Sequence, residues 1–249
     1  MSDLKKINSI LNENSYVGRG IIAGLTSDGS SIFLGYMLSG RSENSKNRVL
    51  VKENNELITS VFDESKVQDP SLIIYTALKR LNNLLILTNG DQTDTIYENL
   101  SNGIPFEQSL DKREYEPDAP IFTPRISLLV DFDANNYKMS ILLNGNVETG
   151  VCDRHFFSYT FDKGRGHFIH TYNTKADKLD VFNTLPETIE IEDDFENFSN
   201  KIWDNMNPQN KIALYTYTTN IKSGFSKEKL FNIHWIWSIK WKCSNLNMV

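Results

Sequence analysis

The chain has 249 residues, 39% of them hydrophobic, and a formal net charge of −6. That length supports one large domain or two small ones with a sizeable core. The acidic balance excludes a general nucleic-acid binder, which needs a basic excess, but it leaves room for a small anionic ligand held by a local arginine cluster.

Two cysteines, Cys152 and Cys243, lie far apart and form no disulfide framework, so a reducing cytoplasm is expected. Residues 1–14 contain no apolar h-region of a signal peptide, and no apolar run is long enough to span a bilayer.

In chain order, residues 3–13 predict a short helix, with Asp3 near its start and Leu4, Ile7, Ile10 and Leu11 at helical spacing. Apolar runs at 21–25 and 32–38 flank Ser27-Asp28-Gly29 and predict a hairpin. Gly18-Arg19-Gly20 opens it, Arg41 follows its return, and Arg48 begins the next segment. Glycine on both sides of an arginine lets the backbone approach something closely or take φ > 0. Guanidiniums gathered at the hairpin's open end would suit a phosphate.

Residues 48–52 and 56–62 read as strands about a turn at Asn54-Asn55. Pro70 is expected to open a helix over 71–81 that includes Tyr75. A strand at 84–88, a turn at Asn89-Gly90, a helix at 94–100 ended by Asn102-Gly103, and a short helix at 106–112 follow. A loop with Pro117, Pro120 and Pro124 leads into strands at 125–132 and 137–143, and Asn144-Gly145 is expected to turn the chain again. Residues 151–161 and 166–172 read as an antiparallel pair about 162–165, followed by a helix at 195–206 and a strand at 211–218.

Phe231, Ile233, Trp235, Trp237, Ile239, Trp241 and Cys243 then alternate with mostly polar residues, the period of a strand with one apolar face. A core-facing terminal strand is the simpler reading and a homo-oligomer interface the alternative, since exposed aromatic patches are uncommon on monomers. No repeat or linker divides the chain. The pattern therefore predicts one α+β domain over 1–249, with antiparallel sheets covered by helices and a C-terminal strand and tail at 226–249.

Several motifs carry little chemistry. Gly18-x-Gly20-x-x-x-Gly24 precedes a strand where a dinucleotide fingerprint needs a helix. His167 and His170 stand three apart and so face opposite sides of a strand, and neither HExxH nor paired CxxC occurs, so no metal is expected. Lys163-Gly164-Arg165-Gly166 reads as a solvated hairpin end, with a phosphate contact as the lesser alternative.

Two polar clusters stay open on composition. Asn89-Gly90-Asp91-Gln92-Thr93-Asp94 suits a turn followed by a cap from Thr93 or Asp94, and equally a binding loop at a strand's end. Glu114-Tyr115-Glu116-Pro117-Asp118 suits an acidic surface loop. Tyr75 reads as a core residue with its hydroxyl at the boundary.

Five segments together resemble the archaeal-type IMP cyclohydrolase family, which also has bacterial members. They are Gly18-Arg19; Gly40-Arg41-Ser42 with Asn47-Arg48; Pro70 to Tyr75; Asn89-Gly90 with Thr93-Asp94-Thr95-Ile96; and Tyr115-Glu116 with Thr123-Pro124-Arg125-Ile126. They occur in the family's order and cover roughly the first half of the chain. The resemblance implies a four-layer αββα sandwich like that of the N-terminal-nucleophile hydrolases, without their nucleophile; Ser2, before a charged segment, is a poor substitute.

It further implies ring closure of a formamidoimidazole carboxamide ribonucleotide to IMP, with no cofactor and no metal. Tyr75, Glu116 and Arg48 take the family's catalytic positions. Arg19, Arg41, Ser42, Asn89, Asp91, Thr93, Asp94, Thr123 and Arg125 take its substrate-binding positions. The alternatives are a nucleotide-binding relative without chemistry and an amidohydrolase of the N-terminal-nucleophile type. The expected partner is a small nucleotide, not a nucleic acid or a membrane.

Overall fold

Two strands with almost no polar face set the architecture. β1 (Arg19–Leu25) and β2 (Ser31–Ser39) are buried along nearly their whole length, so the sheet they centre must be covered on both sides. The structure, a computed structural model, describes residues 4–67, 70, 73–146, 148–175 and 178–234.

Helix α1 (Ile7–Glu13) precedes the β1–β2 hairpin. A short α2 (Glu43–Lys46) leads to β3 (Arg48–Glu53), β4 (Glu56–Val61), β5 (Tyr75–Leu81) and β6 (Leu84–Thr88). Next come α3 (Gln92–Ser101), α4 (Phe106–Ser109), β7 (Arg125–Asp131), β8 (Asn136–Asn146) and β9 (Val151–Thr160). The described chain ends with β10 (Arg165–His170), β11 (Tyr172–Lys175), β12 (Lys178–Val181), β13 (Glu187–Glu190), α5 (Phe195–Asn205), β14 (Lys211–Asn220) and β15 (Ser226–Asn232).

A six-stranded sheet runs β13-β10-β1-β2-β14-β15, a seven-stranded meander runs from β3 to β9 in order, and β11 pairs with β12. The named strand pairs are antiparallel, so the fold is α+β. The sheets meet through Ile21, Leu34 and Leu38 on one and Leu50, Ala77, Leu87, Leu128 and Ile141 on the other. The outer face of the first sheet, with Ile22, Phe33 and Met37, is covered by Ile7 and Ile10 of α1 and Phe198 and Ile202 of α5. The outer face of the second, with Ile86, Leu129 and Leu142, meets Ile96 of α3 and Phe106 of α4.

With seven residues, α1 is too short to persist by propensity in water. It is held by burial of Ile7, Ile10 and Leu11, each contributing about 1.5–3 kcal/mol. No helix among the described residues is long and apolar enough to cross a membrane.

The hairpin turns follow their local chemistry. Asn54 and Asn55 take φ of 48° and 66°, the two left-handed residues of a tight hairpin loop. Three expectations need correction. The helix over 71–81 is replaced from Tyr75 by strand β5, which fills the slot between β4 and β6. A register shift opposite Leu57 and Ile58 leaves consecutive Ala77 and Leu78 both buried, and that doublet imitates helical spacing.

Asn144-Gly145 does not turn the chain: β8 continues to Asn146 with a register shift there. A Cβ on Gly145 would lie 2.3 Å from the Asp153 carboxylate, so this glycine serves close approach. Residues 151–161 and 166–172 do not pair with each other. β9 pairs with β8, and β10 crosses to the other sheet to pair with β1 and β13.

At the C-terminus, β15 ends at Asn232, and Phe231 and Ile233 pack on the α1–α5 core. Trp235, Trp237, Ile239, Trp241 and Cys243 lie outside the described residues, as do Ser2, Asp3 and part of the expected 71–81 helix start.

Candidate active site

Arg48, Tyr75 and Arg125 are each the first residue of a strand: β3, β5 and β7. Successive strands of an antiparallel meander reverse direction, so the starts of alternate strands gather at one end of the sheet. Arg19, the first residue of β1 in the facing sheet, joins them there through an ion pair with Glu116. Four strand-initial residues thus converge on one end of the packed sheets.

Glu116 enters from the loop before β7. Its backbone N–H donates to the Thr123 carbonyl oxygen at 2.8 Å, which folds residues 116–123 back on themselves. Asp118 closes the same loop by accepting from the Thr123 N–H at 2.6 Å and from the Thr123 hydroxyl. Asn89 fastens its base, donating to the Pro124 carbonyl at 2.9 Å and accepting from the Ile126 N–H at 2.8 Å. The acidic segment is therefore no surface loop at its centre, where Glu116 is 4% exposed.

The electrostatics follow from burial. Arg19 Nη2 donates to Glu116 Oε1 at 2.5 Å. Burial pushes the Glu116 carboxyl above its ordinary range, with Arg19 pulling the other way. Burial also disfavours charge on Arg19, yet Glu116, Tyr75 and Tyr172 around it hold its pKa well above the usual value. Arg48 is lowered by burial and by the neighbouring Arg19; an arginine remains charged there all the same. Its Nε and Nη2 donate to the Ser45 and Ser39 carbonyls at 2.8 and 3.0 Å.

Arg19 Nε is buried with no hydrogen-bond partner among the described residues. A buried donor left unpaired costs about 1–3 kcal/mol, which a bound acceptor would relieve.

Arg125 lies at the flank. Its Nη1 reaches Asp91 Oδ1 at 2.7 Å and Gln92 Oε1 at 2.8 Å, while Arg113 reaches the same Asp91 oxygen at 2.5 Å. Asp91 stands at the N-cap of α3, yet its side chain makes no cap bond and holds the two arginines instead. Burial opposes ionisation of Asp91, but Arg113 and Arg125 keep its carboxyl below the ordinary range.

Other expected residues sit differently. The side chains of Asn89 and Thr93 are fully buried and engaged with the protein, Thr93 with the Thr88 hydroxyl at 2.7 Å. The helix begins at Gln92, so Thr93 and Asp94 lie in its first turn and neither caps it. Asp94 pairs with Lys79 at 2.6 Å. Lys79 is four residues along β5 from Tyr75, a rise of roughly 13 Å away from the strand start. Ser42 caps α2, accepting from the Ser45 N–H at 3.1 Å. Arg41 lies exposed, its guanidinium 4.8 Å from the Tyr16 ring centre.

Three tyrosines complete the cluster without a sequence signal that marked them. The Tyr36 hydroxyl is 2.7 Å from that of Tyr75. Tyr172 stacks on Tyr16 at 5.5 Å, and its hydroxyl bonds Thr123. Tyr36 stands inside an apolar strand, where an aromatic ring reads as core; its hydroxyl was the only available cue.

Gly18 makes the Tyr172 contact possible. It takes φ +70°, and a Cβ there would lie 2.2 Å from Thr171 Oγ1 and 2.5 Å from the Tyr172 ring. Gly18→Ala is expected to cost more than about 2 kcal/mol, from backbone strain and overlap together. A urea midpoint unchanged from the parent would contradict that placement.

A separate cleft of about 440 Å³ is lined by Lys5, Asn14, His170 and Glu187 among others. Three of its charged or titratable side chains are tied together: Lys5 and His170 both pair with Glu187, and His170 Nδ1 is 2.8 Å from the Tyr172 carbonyl. The arginine cluster, with its unpaired donor, is the stronger candidate. Among the described residues, no group of three or more His, Cys, Asp or Glu could hold a metal ion.

Buried guanidiniums with one paired carboxylate gather at the end of two packed antiparallel sheets, a set of groups whose charge suits an anion and whose carboxylate could exchange a proton. The profile of the family described as IMP cyclohydrolase-like protein matches residues 16–223, and the chain belongs to that family.

Among curated relatives, the IMP cyclohydrolase of Methanopyrus kandleri is 35% identical over 120 residues, 47% of this chain and 59% of that one. The IMP cyclohydrolase of Methanocaldococcus jannaschii is 25% identical over 178 residues, 70% and 82% of the two chains. That of Methanococcus maripaludis strain C6 is 24% identical over 196 residues, 75% and 92%. In the Methanopyrus comparison the chain spans 59% of the curated relative's length.

Proposed function

We propose that the chain is an IMP cyclohydrolase that closes the purine ring of a formamidoimidazole carboxamide ribonucleotide with loss of water. The observation that carries this reading is the buried Arg19–Glu116 pair with its raised carboxyl, beside the Tyr36–Tyr75 hydroxyl pair. Family membership and the names of the archaeal relatives support it.

Both reacting groups belong to one substrate, so holding it in an attack-ready conformation supplies much of the acceleration, up to roughly 7–11 kcal/mol in the best cases. The carboxamide nitrogen attacks the formyl carbon, and Glu116 accepts the amide proton. Tyr75 donates its proton to the formyl oxygen as the C–N bond forms, with Arg48 and Arg19 stabilising the developing negative charge. The C–O bond then breaks as the Glu116 proton passes to the departing hydroxyl, and the formamide N–H proton returns to Tyr75. Water thereby carries away the formyl oxygen with two substrate protons, and both side chains end as they began.

Arg19, Arg41 and Arg125 serve the phosphate and the carboxamide, with Asp91 fixing Arg125 for that role. Ser42 and Thr123 would add substrate contacts beside them, while Asn89, Thr93 and Asp94 act through the loop and helix that frame the cluster. On this reading the helices and sheets form a four-layer αββα sandwich like that of the N-terminal-nucleophile hydrolases, without their nucleophile, in a single domain over 1–249. The protein works on a free nucleotide in the cytoplasm.

The test is a spectrophotometric assay of chelator-treated protein with the formylated ribonucleotide. Inosine-type absorbance without added metal, folate or nucleotide is the expected result. IMP binding without turnover would replace the reading with a nucleotide-binding relative, and the absence of both would reject it. Arg125→Ala should weaken IMP binding by about 10–100-fold, the loss of one charge-assisted contact of roughly 1.5–3 kcal/mol. Equal affinity by calorimetry would remove Arg125 from the pocket.

A further inference from the structure

We infer that Tyr36 is a positioning residue that fixes the Tyr75 hydroxyl as a donor toward the substrate. The inference rests on the cyclohydrolase reading and deepens it.

A hydroxyl carries one proton and two acceptor sites. Tyr36 is fully buried, and among the described residues its hydroxyl has a single partner, the Tyr75 hydroxyl at 2.7 Å. A buried O–H left without an acceptor is costly, so the Tyr36 proton points at the Tyr75 oxygen. The one proton between the two oxygens is then supplied by Tyr36, and the Tyr75 proton must point elsewhere. Tyr75 begins its strand at the end where Arg19, Arg48 and Glu116 converge, so the substrate proposed for that cluster is the acceptor left to its proton.

The arrangement also suits the moment of transfer. When Tyr75 gives its proton to the formyl oxygen, the charge left on its oxygen already accepts a hydrogen bond from Tyr36 and faces Arg19. Burial and the adjacent Tyr75 push the Tyr36 hydroxyl well above its ordinary pKa, so Tyr36 keeps its proton throughout. Tyr36 touches no reacting atom; it acts through Tyr75.

Tyr36→Phe, Tyr75→Phe and the double variant test this together. Phenylalanine keeps the ring and removes the hydroxyl, so the fold is retained, as a thermal melt would register. Tyr36→Phe is expected to lower kcat by about tenfold or more, with KM and IMP affinity changed less than threefold. The double variant should be no slower than Tyr75→Phe alone, because Tyr36 acts only through that hydroxyl. Wild-type kcat in a folded Tyr36→Phe protein would overturn the proposal while leaving the cyclohydrolase reading intact. So would multiplicative losses in the double variant. A parent protein that neither turns over the ribonucleotide nor binds IMP would overturn the reading itself, and this role with it.

Discussion

Glu116→Gln is expected to lower turnover by about 10²–10⁴-fold, the range typical of a lost general base, while IMP binding persists. Glutamine keeps an amide oxygen where Oε1 now accepts from Arg19 at 2.5 Å, so the loop and the guanidinium stay in place. What disappears is the basic site for the amide proton. Binding should hold or strengthen slightly, since a negative charge has left a pocket proposed to receive an anion.

The pH profile separates this role from a purely structural one. In the parent, Glu116 must be ionised to act, and burial lifts its carboxyl above the ordinary carboxylate range. Parent kcat/KM should therefore rise with pH through a limb above that range, and the glutamine variant should lack the limb. The stability linkage has its own sign. A folded-state pKa above the unfolded value favours the fold while the group is protonated, and that advantage fades as pH rises through the folded pKa. Part of the parent's pH-dependent stability change in that window should disappear in Glu116→Gln. A variant with near-parental turnover would take Glu116 out of the mechanism.

The residues behind this site differ in how readable they were. Arg19, Arg41 and Arg48 stand beside glycines or small polar residues at hairpin ends, a local cue, and Arg19 and Arg48 do begin strands at the gathered end. Asn54-Asn55 and Asp28-Gly29 likewise signal their turns, because turn chemistry is local. Glu116 was legible only by resemblance. Its burial depends on the Thr123 carbonyl and on Arg19, 97 residues away in sequence, and composition around Glu114 to Asp118 points outward instead.

The misread helix over 71–81 has the same origin. Ala77 and Leu78 are adjacent apolar residues whose shared burial comes from a bulge against β4, a tertiary fact that imitates a helical period. Tyr36 and Tyr172 are the least legible. A tyrosine in an apolar strand is core by every local measure, and only the partner of its hydroxyl distinguishes it. Sheets built from neighbouring hairpins are thus readable from turns and alternation. The crossing from β9 to β10 joins two sheets and is not, since both strands have acceptable patterns for pairing with each other.

Arg19→Met is expected to be the most destabilising single change in the site, by about 3–5 kcal/mol, because it leaves a buried carboxylate without its counter-ion. The Arg19 and Glu116 side chains are only 9% and 5% exposed, so water cannot replace the lost partner. The cost depends on pH in a definite direction. Without Arg19 the largest influence holding the Glu116 pKa down is gone, leaving Arg125 alone to oppose burial, and the carboxyl rises further. Below the ordinary carboxylate range, Glu116 is neutral in both folded and unfolded states and the deficit is small. It grows as pH rises and reaches its full size once pH exceeds the new folded pKa.

Urea midpoints of Arg19→Met should therefore approach the parent's near pH 4 and fall away toward pH 8. Turnover should shift to more alkaline pH as well, since the base ionises later, and lose the binding that Arg19 provides. Pairing Arg19→Met with Glu116→Leu should recover most of the stability, as an apolar pair of similar volume needs no counter-ion, and none of the activity. A pH-independent deficit, or a double variant as unstable as Arg19→Met alone, would mean that Arg19 stabilises the fold through packing. In that case the buried ion pair would not govern the carboxyl on which the proposed chemistry depends.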